Sequence, residues 1–162
     1  MSVNKLVLDS FEVDAFYLCA IHSSLPSYKM AFLLNKYLGL KFERAQKDVE
    51  VISEEGLEIY PCYVFEDVAN YTQYSLLKNK CFFEQRVGIK DGDLFENTPV
   101  QQIIRNLITE YKKVDYFLKI ETDNFEYNMK LLVANITNIN QVIASFEVDY
   151  ETIKSKTNLI IE

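Results

Sequence analysis

Residues 114–121, VDYFLKIE, alternate with a period of two, and the pattern of the next thirty residues narrows the folds open to this chain. Val114, Tyr116, Leu118 and Ile120 share one face of an extended segment, and Asp115, Phe117, Lys119 and Glu121 share the other. Asp123 and Glu126 then form a capping-box pair, which predicts a helix running to about Ile136. Residues 141–150 alternate again, with Val142, Ala144, Phe146, Val148 and Tyr150 set against Ser145, Glu147 and Asp149. A strand, a helix and a second strand in so short a span must lay the helix across a sheet.

The same order occurs earlier in the chain. Residues 16–21, FYLCAI, form a continuous apolar run, the pattern of a strand covered on both faces. In the following SSLPSYKMAFLLNKYLGL, Ser23 or Ser24 can cap, Pro26 suits a first turn and Gly39 suits a helix end. Met30, Leu33, Leu34, Tyr37 and Leu38 fall at helical spacing and predict a core-facing stripe. Residues 40–45 resume an extended pattern, and residues 5–9 alternate weakly as a first strand would. FYL at 16–18 matches YFL at 116–118, and YKM at 28–30 matches YNM at 127–129, a hint of duplication with an offset near one hundred. SFEVD also occurs twice, at 10–14 and 145–149, but at a different offset, and is read as coincidence.

Between the two units lies a meander. Residues 59–65 (IYPCYVF) and 71–77 (YTQYSLL) read as strands joined by a turn over 67–70, with Pro61 demanding an edge or a bulge. Glu54-Glu55-Gly56 reads as a turn. Residues 80–89 read as a further strand, and Asp91-Gly92 predicts a hairpin into 93–95. Thr98-Pro99 reads as a helix opening, followed at helical spacing by Val100, Ile103, Ile104, Leu107, Ile108 and Tyr111. Residues 159–161 read as a last short strand. With no linker or low-complexity stretch, the expected fold is a single α+β domain over residues 1–162. It is a mostly antiparallel sheet in which two strand-helix-strand units flank a β-meander.

Charge and cysteine content narrow the partners. The net charge of −7 is spread over both halves, so the concentrated positive surface of a phosphate-backbone binder is missing. Lys78, Lys80 and Arg86 offer only a small basic patch. No window approaches the roughly 20 apolar residues of a membrane span, and the first residues turn acidic too early for a signal peptide. Three widely spaced cysteines argue against a disulfide framework. A soluble, cytoplasmic protein with no membrane partner is expected.

Candidate sites centre on Glu110-Tyr111-Lys112-Lys113-Val114-Asp115-Tyr116. In one reading the segment punctuates the fold: Val114 and Tyr116 anchor the core, while Lys113, Asp115, Lys119 and Glu121 alternate in sign on a solvated face. Asp115→Ala should then cost little, and Val114→Ala and Tyr116→Ala much more. In the other, Glu110, Lys112 and Asp115 converge on a ligand or partner. Tyr60, Tyr63, Phe65, Tyr71 and Tyr74 can form a stacking surface, but without the basic residues of a sheet-faced RNA binder they are read as core or dimer surface. Tyr63, Tyr71 and Tyr74 join Glu110, Lys112 and Asp115 as the candidate partner or ligand surface.

Other chemistry is thin. Cys19 and His22 sit on opposite faces of one strand and cannot act as nucleophile and base, and Cys62 and Cys81 lack zinc-knuckle spacing. The Glu147, Asp149, Glu151 ladder is read as a solvated face rather than a cation site. The four glycines form no phosphate cradle, and no nucleophile elbow, metalloprotease or kinase motif occurs. No catalytic residue, metal or cofactor is assigned.

Ile108-Thr109-Glu110 followed by Val114-Asp115-Tyr116 resembles the signature of the bacterial IPExxxVDY family of the Bacteroidetes group. The resemblance extends over most of the chain, including IHSSLPSYKMAFLLNKYLGL at 21–40 and YFLKI at 116–120. Thr109 stands where the family has proline, so the resemblance implies a helix that runs further here, or a softer bend. It implies a bacterial cytosolic origin and no assigned activity. The expected function is a non-enzymatic interaction module that binds a protein partner or itself. A small-ligand regulatory domain built on paired strand-helix-strand units, with ferredoxin-like or ACT-like analogy, is the alternative; a carboxylate-based enzyme is a third reading.

Overall fold

The computed structural model describes residues 16–86 and 100–161. The features predicted at 5–9, 87–95 and 98–99 lie outside these residues.

The elements are β1 (Tyr17–His22), α1 (Ser27–Leu38), β2 (Glu43–Arg44), β3 (Val49–Ser53), β4 (Gly56–Tyr60), β5 (Cys62–Asp67) and β6 (Thr72–Lys78). They continue with β7 (Lys80–Arg86), β8 (Val100–Asn106), β9 (Tyr116–Thr122), α2 (Met129–Thr137) and β10 (Ala144–Val148). Six strands form one antiparallel sheet in the order β10-β1-β9-β6-β5-β2, while β3-β4 and β7-β8 pair as separate two-stranded ribbons. Both neighbours of β1 run against it, so β9 and β10 are parallel to each other with β1 between them. By the same logic β1 and β6 are parallel and flank β9. Two split βαβ units therefore interlock, the connectivity of ferredoxin-like folds. The fold is α+β with a mostly antiparallel sheet, as expected from the sequence.

Helix α1 follows its punctuation. Pro26 is extended at the N-cap (φ −66, ψ 156) without a side-chain cap, and Gly39 closes the helix in the left-handed region (φ 66), donating to the Asn35 carbonyl at 3.1 Å. The Asn35 side chain then bonds both the N–H and the carbonyl of Phe42, which turns the chain back toward β2. Met30, Ala31 and Leu34 are buried, but Tyr37, predicted in the stripe, is exposed.

The sheet is covered on both sides. On one face Cys19, Ile21, Leu76, Tyr116, Leu118 and Ile120 pack under Met30 and Leu34 of α1 and Leu132 and Ile136 of α2. On the other, Leu18, Ala20, Leu77 and Phe117 pack against Tyr60, Ile108, Ile153 and Leu159. This accounts for the unbroken apolar run of β1. Each such large side chain contributes about 1.5–3 kcal/mol.

Several expectations are corrected. Residues 100–106 form strand β8, not a helix: their apolar spacing suits either period, and pairing with all of β7, from Lys80↔Asn106 to Arg86↔Val100, decides for the strand. Pro61 interrupts the predicted strand at 59–65, leaving β4 and β5 in different sheets. Helix α2 is capped by Asn128, whose side chain accepts from the Leu131 N–H at 3.0 Å, so the Asp123–Glu126 pair is not its cap. Lys156–Leu159 is a 3-10 turn, and Leu159 is buried by it rather than by strand pairing. Val114 lies in the opposite core from Tyr116, because it precedes β9 instead of continuing its alternation. Lys119 is 4% exposed, not solvated; its Nζ sits 2.8 Å from Glu121 and 4.8 Å over the Phe16 ring.

The first strand and helix of each unit, β1-α1 and β9-α2, align at an offset of 99, whereas the return strands β6 and β10 do not share it. Tyr17, Cys19, Ile21 and Met30 then match Tyr116, Leu118, Ile120 and Met129, all facing or packing against the helix-side core. The FYL–YFL match would set Leu18 against Leu118, which lie in opposite cores.

Candidate functional site

Residues 107–116 form a knot tied by Asn79, in the one-residue link between β6 and β7. Asn79 is fully buried. Its side-chain amide donates to the carbonyls of Tyr111 and Val114, both at 2.9 Å, and its oxygen accepts the Ile108 N–H at 2.8 Å. Its backbone N–H reaches the Asp115 carbonyl and its carbonyl accepts from Leu107, each at 2.9 Å. A loop that sinks Ile108 and Val114 into the core would strand its own polar backbone, and Asn79 supplies the missing partners. In sequence Asn79 lies between Lys78 and Lys80, in the gap between two expected strands, and carries no local signal of this role.

The charged members of the segment are tethers. Asp115 accepts the Ser23 N–H at 2.9 Å through one oxygen and Lys80 Nζ at 2.7 Å through the other, so its half-buried carboxylate fixes the end of β1. Asp115 is therefore not on a freely solvated face, and the condition under which its removal would cost little is not met. Glu110 accepts from the Lys154 N–H at 2.6 Å and the Ser155 hydroxyl at 3.0 Å, holding the C-terminal segment. Partial desolvation works against its charge, but these donors outweigh it and hold the carboxyl below its ordinary range. Lys112 is exposed, and only its carbonyl is engaged, by Asn106 Nδ2 at 3.3 Å. Tyr116 is buried and donates its hydroxyl to the Leu25 carbonyl. Ile108 is extended (φ −112, ψ 103) ahead of a 3-10 turn over Thr109–Tyr111, so no helix runs through Thr109. Glu110 and Lys112 share a shallow cleft of about 480 Å³ with His22, Tyr111 and Phe146, and Asp115 does not line it.

The aromatic group is divided. Tyr60 is buried on the far side of the sheet and donates to buried Glu58 at 2.6 Å. Burial, then that carboxylate, push its phenol well above the ordinary range. Tyr74 is buried on the helix side, hydroxyl to hydroxyl with Tyr127 at 3.2 Å and stacked on Phe65. Tyr63 is half-buried, with the Arg44 guanidinium 5.4 Å over its ring. Tyr71 alone is freely exposed, held at φ 49 after a 3-10 turn capped by Asp67. These tyrosines form no common stacking surface.

Nucleophile and metal chemistry find little purchase. Burial pushes the Cys19 thiol up to about 12 and the Cys62 thiol to about 11. Among the described residues no cluster of three or more His, Cys, Asp and Glu is placed to hold a metal ion. Asp149 is used to cap a turn through the Glu151 N–H at 2.9 Å. No helix is long and apolar enough to cross a membrane among the described residues.

What sequence reasoning missed is an apolar groove at the junction of two ribbons. Leu57 and Ile59 of β4 and Phe82 of β7 are 44–53% exposed and, with Pro61, Lys78, Lys80 and Cys81, line an open groove of about 340 Å³. In sequence these side chains look like ordinary strand core. Only the departure of β4 from the main sheet at Pro61 leaves them uncovered. Compared with known proteins, the chain matches no family model, no curated protein and no solved structure.

Proposed function

We propose that this protein is a non-catalytic module that binds protein, either a partner or a second copy of itself. The observation that carries the reading is the groove of Leu57, Ile59, Pro61 and Phe82. Large apolar side chains gathered in the open are costly to leave wet, and such patches mark contact surfaces. Membership of the IPExxxVDY family belongs to the same proposal, supported by the defined packing or tethering part that Ile108, Glu110, Val114, Asp115 and Tyr116 each have in one knot. A cytoplasmic location is proposed with it, supported by three cysteines that are all free thiols. Those parts also make Glu110 and Asp115 structural, leaving Lys112 as the member of that trio free for a partner. The test is photo-crosslinking from position 82 in the native host. Discrete protein adducts that disappear on Ile59→Glu are expected; an unreacted chain would overturn the reading.

A second reading, a small-ligand regulatory domain, is favoured by the interlocked split βαβ units, an analogy at the level of fold alone. Stabilisation by a metabolite in a thermal-shift screen would support it, and a uniformly silent screen would remove it.

A further inference from the structure

We propose that the groove receives the opposite end of a second copy of this chain, so that molecules associate head to tail. This rests on the protein-binding reading and names the partner. The two ends are built as opposites. At the β5-β6 turn and the loop after β9, Val68 and Tyr71 are 70% and 76% exposed and Phe125 is 98% exposed. Around this apolar tip lie Glu66, Asp67, Glu121 and Asp123, and among the described residues no cation lines the recess they share. The groove is the reverse: Lys78 and Lys80 line it and, among the described residues, no carboxylate does. Among the described residues Glu66, Asp123 and Lys78 make no ion pair, so charge on both ends is available to an incoming surface.

The placement matters as much as the charge. Strand β6 starts at the tip with Thr72 and ends at the groove with Lys78, and β9 runs back from Tyr116 to Thr122. Seven residues of strand separate the two surfaces by about 20 Å, on opposite ends of the molecule. A chain cannot fold its own tip into its own groove across that span, whereas a second chain can present it. A groove of about 340 Å³ accommodates one aromatic ring, and Phe125 is a fully presented ring with carboxylates beside it to meet Lys78. With tip and groove at opposite ends of the strands, an end-to-end contact leaves a free groove on one copy and a free tip on the other, so it is heterologous and can repeat, unlike the reciprocal pairing of a two-fold dimer.

The test uses two variants of the whole chain, altered only at exposed positions: a tip variant, Tyr71→Asn with Phe125→Lys, and a groove variant, Ile59→Glu with Phe82→Glu. Native circular dichroism checks that each folds. In sedimentation from micromolar to millimolar concentration, wild type should grow beyond a dimer, and more weakly at high salt. Each variant alone should associate at least tenfold more weakly, yet the two mixed should form a one-to-one pair, since each retains the surface the other lacks. A strictly monomeric wild type, a dimer that closes at two copies, or a mixture that fails to pair would each overturn the proposal. Adducts from position 82 to a different protein alongside a monomeric wild type would leave the protein-binding reading standing and remove only this inference.

Discussion

A single buried amide does more for the knot than its charged residues do. Asn79→Ala removes three side-chain hydrogen bonds and leaves the Tyr111 and Val114 carbonyls and the Ile108 N–H buried. The expected loss is about 3 kcal/mol or more, read as a shift in urea midpoint at constant slope. Asp115→Ala, which unpairs Lys80 and the Ser23 N–H, should cost about 1.5–3 kcal/mol; a loss near zero would restore the solvated reading of that carboxylate. Thr109 offers the opposite outcome. Ile108 is already extended, as a residue before proline must be, and the first N–H of a 3-10 turn has no partner inside it. Thr109→Pro should therefore stabilise by about 0.4–1 kcal/mol. A loss beyond about 2 kcal/mol would show that the threonine amide or hydroxyl is needed.

Elements differ in how far the chain announces them. Helix α1 was legible because Pro26 and Gly39 fix both ends through backbone geometry that each residue carries locally. Strand β8 was not, since Val100, Ile103 and Ile104 satisfy a helical stripe as well as a strand, and the partner that decides lies twenty residues away in β7. The knot was half legible. Its apolar anchors could be read from pattern, but the role of Asn79 depends on a contact across about thirty residues, and the groove exists only because β4 leaves the main sheet. The C-terminal segment is held by Ile153 and Leu159 in the core and by the Glu110 tether, and pH probes the tether. Glu110 titrates below its ordinary value of 4.5 in the fold, so its tether is intact above that value and is lost as pH falls through the lower folded one. Amide exchange at Lys154 and Ser155 should accelerate on acidification ahead of β9, and Glu110→Gln should make that exchange insensitive to pH beyond its intrinsic dependence. Unchanged acid sensitivity in the variant would assign the tether elsewhere.

For the molecule as a whole, the two cores are separated by the sheet, and each holds one fully buried thiol, Cys19 beneath the helices and Cys62 on the other side, where Cys81 also packs from the edge. Both are buried, while Cys81 is partly open. Under mild alkylation Cys81 should react first, and Cys19 and Cys62 should follow together at the rate of global opening. If Cys62 reacted well ahead of Cys19, the far side of the sheet would be shown to open independently of the helix layer. The central strand of that sheet, β9, carries a further consequence. Its neighbours β1 and β6 are made long before it, so as the chain leaves the ribosome the first strand waits for about a hundred more residues. At roughly 5–20 residues per second β1 waits on the order of 5–20 s, and β6, made about forty residues before β9, on the order of 2–8 s, each with an edge bare of the strand that joins them. The interval before Thr122 emerges is therefore set by the speed of translation, a quantity outside the finished fold.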